Sequence, residues 1–142
     1  MEGLLSLLLL VNTATSSPVP KKLDTCLKLT SANPIMRQIN TIRAKNGVNV
    51  VCPSNDLQTK VNKRAEYIFL TNDFSHDKFL AEYKDKETIG ENLIRYHYDS
   101  EAVEQWMNSP SHRVIILDSE FNQIAIKNED IYTVLWLREK KL

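Results

Sequence analysis

The sequence predicts an α+β sandwich in which helices come first and strands are interleaved late. Apolar residues recur at helical spacing through much of residues 34–71 and again over residues 101–108. The C-terminal part changes to short β-branched and aromatic runs, "NQIAIK" and "IYTVLWLR". With only three glycines there is no Gly-rich phosphate loop, so neither a dinucleotide-binding nor a P-loop sheet is expected.

A chain of 142 residues allows one domain. Hydrophobic residues at 42% and charged residues at 25% suit a soluble globular protein that closes a core. Lys+Arg and Asp+Glu both number 18, which excludes the basic bias of a nucleic-acid or membrane-surface binder.

Residues 1–20 differ from the rest. "LLSLLLLV" (4–11) precedes small and polar residues, the layout of a secretory signal peptide with "ATS" (14–16) as cleavage context. The run is too short for a transmembrane segment, which takes roughly 20 apolar residues. Met1-Glu2-Gly3 lacks the usual Lys or Arg, so a buried N-terminal element or a truncated anchor is the competing reading. Removing residues 1–20 leaves 18 bases against 17 acids, a net charge of +1. The expected organisation is a leader and linker over 1–20 and one secreted domain over 21–142. "SSPVPKK" (16–22) reads as an extended linker, because Pro18 and Pro20 disfavour helix. Cys26 and Cys52 are an even pair in an expected secreted chain, which suggests one disulfide looping around the first helix; two free buried thiols are the alternative.

The first predicted helix covers residues 34–46, with Ile35, Ile39 and Ile42 on one stripe, Pro34 in the first turn and Asn46-Gly47 as the stop. The second covers 56–71, with Leu57, Val61, Ala65 and Ile68 facing inward and Ser54 or Asn55 as cap. A short helical segment is expected within 78–84. The third main helix covers 101–108, capped by Asp99 or Ser100 and ended by Pro110. "NLIRYHY" (92–98) reads as a strand, and the two late runs form a hairpin around "NED" (128–130).

Three stretches place ionisable residues beside turn formers: "NDFSHDKF" (72–79), "IGENL" (89–93) and "NSPSHR" (108–113). Loops at helix ends are where a scaffold displays working residues. His76, Glu91 and His112 together would offer two imidazoles and a carboxylate, suited to zinc or to acid–base work near neutral pH. Unrelated exposed loop histidines are the plainer reading of the same spacing. His97 reads as a strand-surface residue, and Trp106 and Trp136 as core aromatics.

In order and at compatible spacing, "INTIRAKNGVN", "LQTKVNKRAEYIFLTNDFSH", "IGENL", "AVEQWMNSPSHRVIIL" and "FNQIAI…IYTVLWL" resemble the CAP superfamily of cysteine-rich secretory, antigen 5 and pathogenesis-related proteins. The resemblance covers residues 34–137 and is nearest to compact bacterial-type members. It implies a three-layer α-β-α sandwich, secretion, and a central cleft that in several members binds a divalent ion through two histidines and two acids. By motif position His76 and His112 match the histidines and Glu91 the first acid. Ser109 stands at the second acid position, which implies weaker binding of zinc or another divalent cation. Ala125 stands where the family usually has glycine. The implied function is a binding protein whose partner is a lipid, a cell-envelope component or a protein. A metal-assisted hydrolase with Glu91 as base and a structural or adhesive domain with a vestigial cleft are the alternatives.

Overall fold

The computed structural model describes residues 21–141; the leader expected over residues 1–20 lies outside them. The elements in chain order are α1 (Lys21–Ser31), α2 (Pro34–Lys45), β1 (Cys52–Pro53), α3 (Asn55–Thr71), α4 (Asp77–Tyr83), β2 (Ile89–Arg95), α5 (Asp99–Met107), α6 (Pro110–Leu117), β3 (Gln123–Glu129) and β4 (Tyr132–Arg138).

Local chemistry sets the helix ends. The Asn33 side chain accepts from the N–H groups of Ile35 and Met36, and Pro34 opens α2 where no N–H is needed. Gly47, at φ 70°, takes the left-handed turn after α2. Ser54 caps α3 by accepting from the Leu57 N–H, and Asn72, at φ 56°, ends it.

The strands form one sheet in the order β1-β3-β4-β2. β1 runs parallel to β3, while β3–β4 and β4–β2 are antiparallel. Alternation along β4 sorts the core into two halves. Tyr132, Val134 and Trp136 pack with Leu57, Val61, Ala65 and Ile68 of α3 and Phe79 of α4. Leu135 and Leu137 pack instead with Ile35, Ile39, Val103, Trp106 and Ile116 from α2, α5 and α6. The result is helices on both faces of a sheet, the three-layer α-β-α arrangement. Arg43, wholly buried, binds the second helical layer to the chain leading into β3 by donating to the carbonyls of Ile116, Asp118 and Phe121.

Cys26 and Cys52 are joined as a disulfide, which ties α1 to β1. Lys21 and Lys22, the described end of the expected linker, lie in helix α1, and the two-residue β1 had no counterpart in the sequence reading. The strand expected over 92–98 lies earlier, because Tyr96 takes a left-handed φ of 60° and its N–H bonds the Ile131 carbonyl. His97 therefore sits in the connection after β2, 3.6 Å from Glu101, rather than on a strand. Pro110 opens α6 as well as following α5, so His112 lies in a helix rather than a loop.

Gly90 lies inside β2 for a packing reason: a Cβ there would come 2.9 Å from Ile115 of α6 and 3.3 Å from Phe121. Gly90→Ala is expected to lower stability by about 1–3 kcal/mol through overpacking, read from the midpoint of urea unfolding.

Candidate functional site

Strand β2 is an outer strand, and consecutive residues in its middle point to opposite helical layers. Glu91 faces the α3/α4 layer beside its cross-strand neighbour Trp136. Asn92 faces the α5/α6 layer, where its Nδ2 donates to the His112 carbonyl at 3.1 Å. The Trp106 indole N–H adds a bond from α5 to the Leu93 carbonyl. The pair Glu91-Asn92 thus reaches one histidine-bearing element on each side.

The Glu91 side chain is 1% exposed and its carboxylate is saturated. Oε1 accepts from Arg64 Nη2 at 2.8 Å and His76 Nδ1 at 2.9 Å, and Oε2 accepts from Arg64 Nε at 2.8 Å and Trp136 Nε1 at 2.7 Å. Burial pushes the Glu91 carboxyl up, but the hydrogen bonds and charge of Arg64, with His76 and Trp136, outweigh it and hold the group below its ordinary value. An ionised carboxylate only accepts, so His76 Nδ1 carries the proton.

The turn before α4 is braced from the same centre. Arg64 Nη2 also donates to the Ser75 carbonyl at 2.7 Å, and Asp73 Oδ1 accepts from the Ser75 N–H and hydroxyl. His76 follows directly, with its side chain 45% exposed. Its Nε2 has no hydrogen-bond partner among the described residues.

His112, half-buried in the first turn of α6, sets Nδ1 2.7 Å from the Ser109 hydroxyl. That hydroxyl can donate to Nδ1 or accept from it, so His112 can present Nε2 as a donor or as a lone pair; a carboxylate there would fix the second state. Burial first, and the charge of His76 second, hold the His112 imidazole below its ordinary value. The two rings therefore share one electrostatic neighbourhood although they come from opposite layers.

Of the three expected ligands, Glu91 and His76 are in direct contact, while His112 contacts Ser109. Among the described residues no group of three or more His, Cys, Asp or Glu is placed to hold a metal ion. A site for a tightly held zinc needs three protein ligands, and here the carboxylate is committed to N–H donors. The residues present do not fit such an ion.

The sequence reading omitted Arg64 and the role of the Trp136 N–H. A clue lay in the helix stripe itself: Arg64 falls between Val61 and Ile68, on the buried face of α3. A charge at a core position requires a buried counter-charge.

A family model for the cysteine-rich secretory protein (CAP) family matches residues 36–127. The chain belongs to the CAP family. Among solved structures it is similar to an extracellular protein containing an SCP domain from Bacillus anthracis str. Ames, at 22% identity and a TM-score of 0.65, over 88% of this chain and 45% of that one. It is likewise similar to an outer surface protein from Borrelia burgdorferi, at 18% identity and a TM-score of 0.65, over 87% of this chain and 97% of that one. A cysteine-rich secretory protein from Staphylococcus aureus subsp. aureus Mu50 matches at 18% identity and a TM-score of 0.65, over 88% of this chain and 41% of that one. The CAP chain thus spans less than half the length of the first and third of these structures. No curated protein matches it significantly.

The depressed Glu91 value means that its contribution to stability is complete above the ordinary glutamate range and lost as pH falls through the folded-state value. Glu91→Gln is expected to cost about 3 kcal/mol at neutral pH by leaving Arg64 without its counter-charge. The variant should also lack this part of the acid destabilisation, checked by urea unfolding across the acid range.

The His112 ring is expected to titrate below an ordinary histidine. Replacing His76 with Gln should move it upward by removing the charge that disfavours its protonation, read by NMR of the imidazole Cε1–H.

Proposed function

We propose that this CAP domain is an extracellular binding protein, with a cleft at the outer edge of β2 whose polar grip is the imidazole pair His76 and His112. The observation that carries the reading is the saturation of Glu91 by four N–H contacts. A carboxylate so occupied orients His76 instead of itself taking a proton from a substrate, which speaks against Glu91 as the base of a hydrolytic mechanism. In its neutral form His76 offers Nε2 as an acceptor, and His112 offers Nε2 as donor or acceptor according to the Ser109 hydroxyl. Such a pair suits a partner carrying both kinds of polar group, as a cell-envelope component, a lipid head or a protein segment does.

The Cys26–Cys52 disulfide supports an oxidising, extracellular setting. The Bacillus protein is described as extracellular and the Borrelia protein as an outer surface protein, which agrees with the same setting. A divalent ion would meet two imidazole nitrogens and no free carboxylate, so zinc would be weakly held and exchangeable.

Calorimetric titration of zinc into the protein, beside a His76→Ala/His112→Ala variant, tests this. The expected result is affinity no tighter than high micromolar, about a hundredfold or more weaker than a three-ligand site. Nanomolar binding lost in the double variant would overturn the reading and make the cleft a metal centre.

A further inference from the structure

The connection that leaves β2 and the β3–β4 turn together enclose a second concavity, which neither His76 nor His112 lines. Its volume is about 340 Å³, at the small end of the roughly 300–1,000 Å³ typical of small-molecule sites. One side is supplied by Tyr96, Tyr98 and Asp99, the other by Asn128, Asp130 and Thr133. Hydrogen bonds join the two sides. The Thr133 hydroxyl donates to Asn128 Oδ1 at 2.8 Å, and Asn128 Nδ2 donates to Asp99 Oδ1 at 3.2 Å.

The tyrosines are displayed at a cost to the fold. Tyr96 and Tyr98 are 74% and 78% exposed, the most exposed large hydrophobic side chains among the described residues. Tyr96 also takes a left-handed φ of 60°, which a bulky residue adopts only under constraint. Its N–H, donating to the Ile131 carbonyl at 3.0 Å, holds it there. Glycine would occupy the same backbone without strain, and the tyrosine ring gains no burial in exchange. Strain of this kind concentrates where a side chain is held ready for a ligand.

The free polar groups select the kind of ligand. Asp99 Oδ2 and the Asp130 carboxylate accept, while the second N–H of Asn128 Nδ2 and the tyrosine hydroxyls can donate. Neither aspartate forms an ion pair with a described residue. No Lys or Arg is among the described residues that line the concavity. An anionic ligand would therefore meet two carboxylates with no cation to offset them. A quaternary ammonium would answer the rings and the carboxylates but none of the donors. The negative faces of aromatic rings complement the weakly positive C–H face of a sugar ring. Vicinal sugar hydroxyls both donate and accept, which matches the mixed set.

We propose that this concavity binds a neutral pyranose unit of a glycan, with its C–H face on the tyrosine rings and its hydroxyls on Asp99, Asn128 and Asp130. The site is separate from the histidine cleft and does not rest on how that cleft is used.

Saturation-transfer NMR on the full chain is the test. The probes are neutral tetrasaccharides of glucose, mannose, galactose and N-acetylglucosamine, with tetragalacturonate as the acidic counterpart and choline as the cationic one. Transfer to the ring C–H protons of at least one neutral probe is expected, with none to tetragalacturonate. Tyr98→Ala should weaken binding about tenfold by removing a stacking face. Tyr96→Gly should weaken it to a similar extent while leaving the midpoint of thermal unfolding unchanged or higher, because glycine relieves the left-handed backbone. A merely structural tyrosine would give the reverse, unchanged binding with a lower midpoint. The His76→Ala/His112→Ala variant should bind sugar as the parent does. Absence of transfer to every neutral probe overturns the proposal, as does transfer that both tyrosine variants leave intact. Equal transfer to tetragalacturonate, or transfer to choline alone, overturns it as well.

Discussion

The arrangement around β2 depends on one buried negative charge. The Glu91 carboxylate sits where an unpaired ion would be prohibitively costly, and it is tolerated because three side chains from three elements fill its acceptor positions. Arg64 comes from α3, His76 from the turn before α4, and Trp136 from β4. The dependence is mutual, since Arg64 is 5% exposed and would itself be an uncompensated charge without Glu91. This cluster does more than add stability. It sets the distance between α3 and the sheet and fixes the ring orientation of His76, because Nδ1 has a single destination.

The second histidine is held by a different logic. Asn92 grips the backbone of His112 rather than its ring, so the position of α6 against β2 is fixed while the imidazole keeps a choice of proton placement. The ring partner is a hydroxyl, which serves as donor or acceptor at little cost, in contrast to the carboxylate behind His76. One imidazole is thus committed and the other is adaptable. The hydroxyl of Ser109 leaves the His112 ring a choice that a carboxylate at the same position would remove.

Much of this could be read in the chain because the information is local. The stripes of α2 and α3, Pro34 in the first turn of α2, the Ser54 cap of α3, and each of the histidine and glutamate motifs lie within short windows. What escaped depends on pairing across distance. β1 is two residues long and becomes a strand only by pairing with Gln123 and Ile124. Gly90 falls before the strand expected over 92–98, and nothing near it in sequence announces Ile115 overhead. His112 reads as a loop residue because Pro110, which breaks one helix, also suits the first turn of the next. Arg64 was visible as a charge within an apolar stripe, but its partner could not be named until the strand beside it was placed.

The order β1-β3-β4-β2 has a further consequence, because it separates the two outer edges by the β3–β4 hairpin. β4 is buried along its whole length and packed on both faces by close-fitting side chains. Energetic coupling between distant sites requires an element with two arrangements that each ligand biases differently. A central strand gripped from both layers resists a second arrangement. A change at the β2 edge is therefore expected to leave the β1 edge as it was.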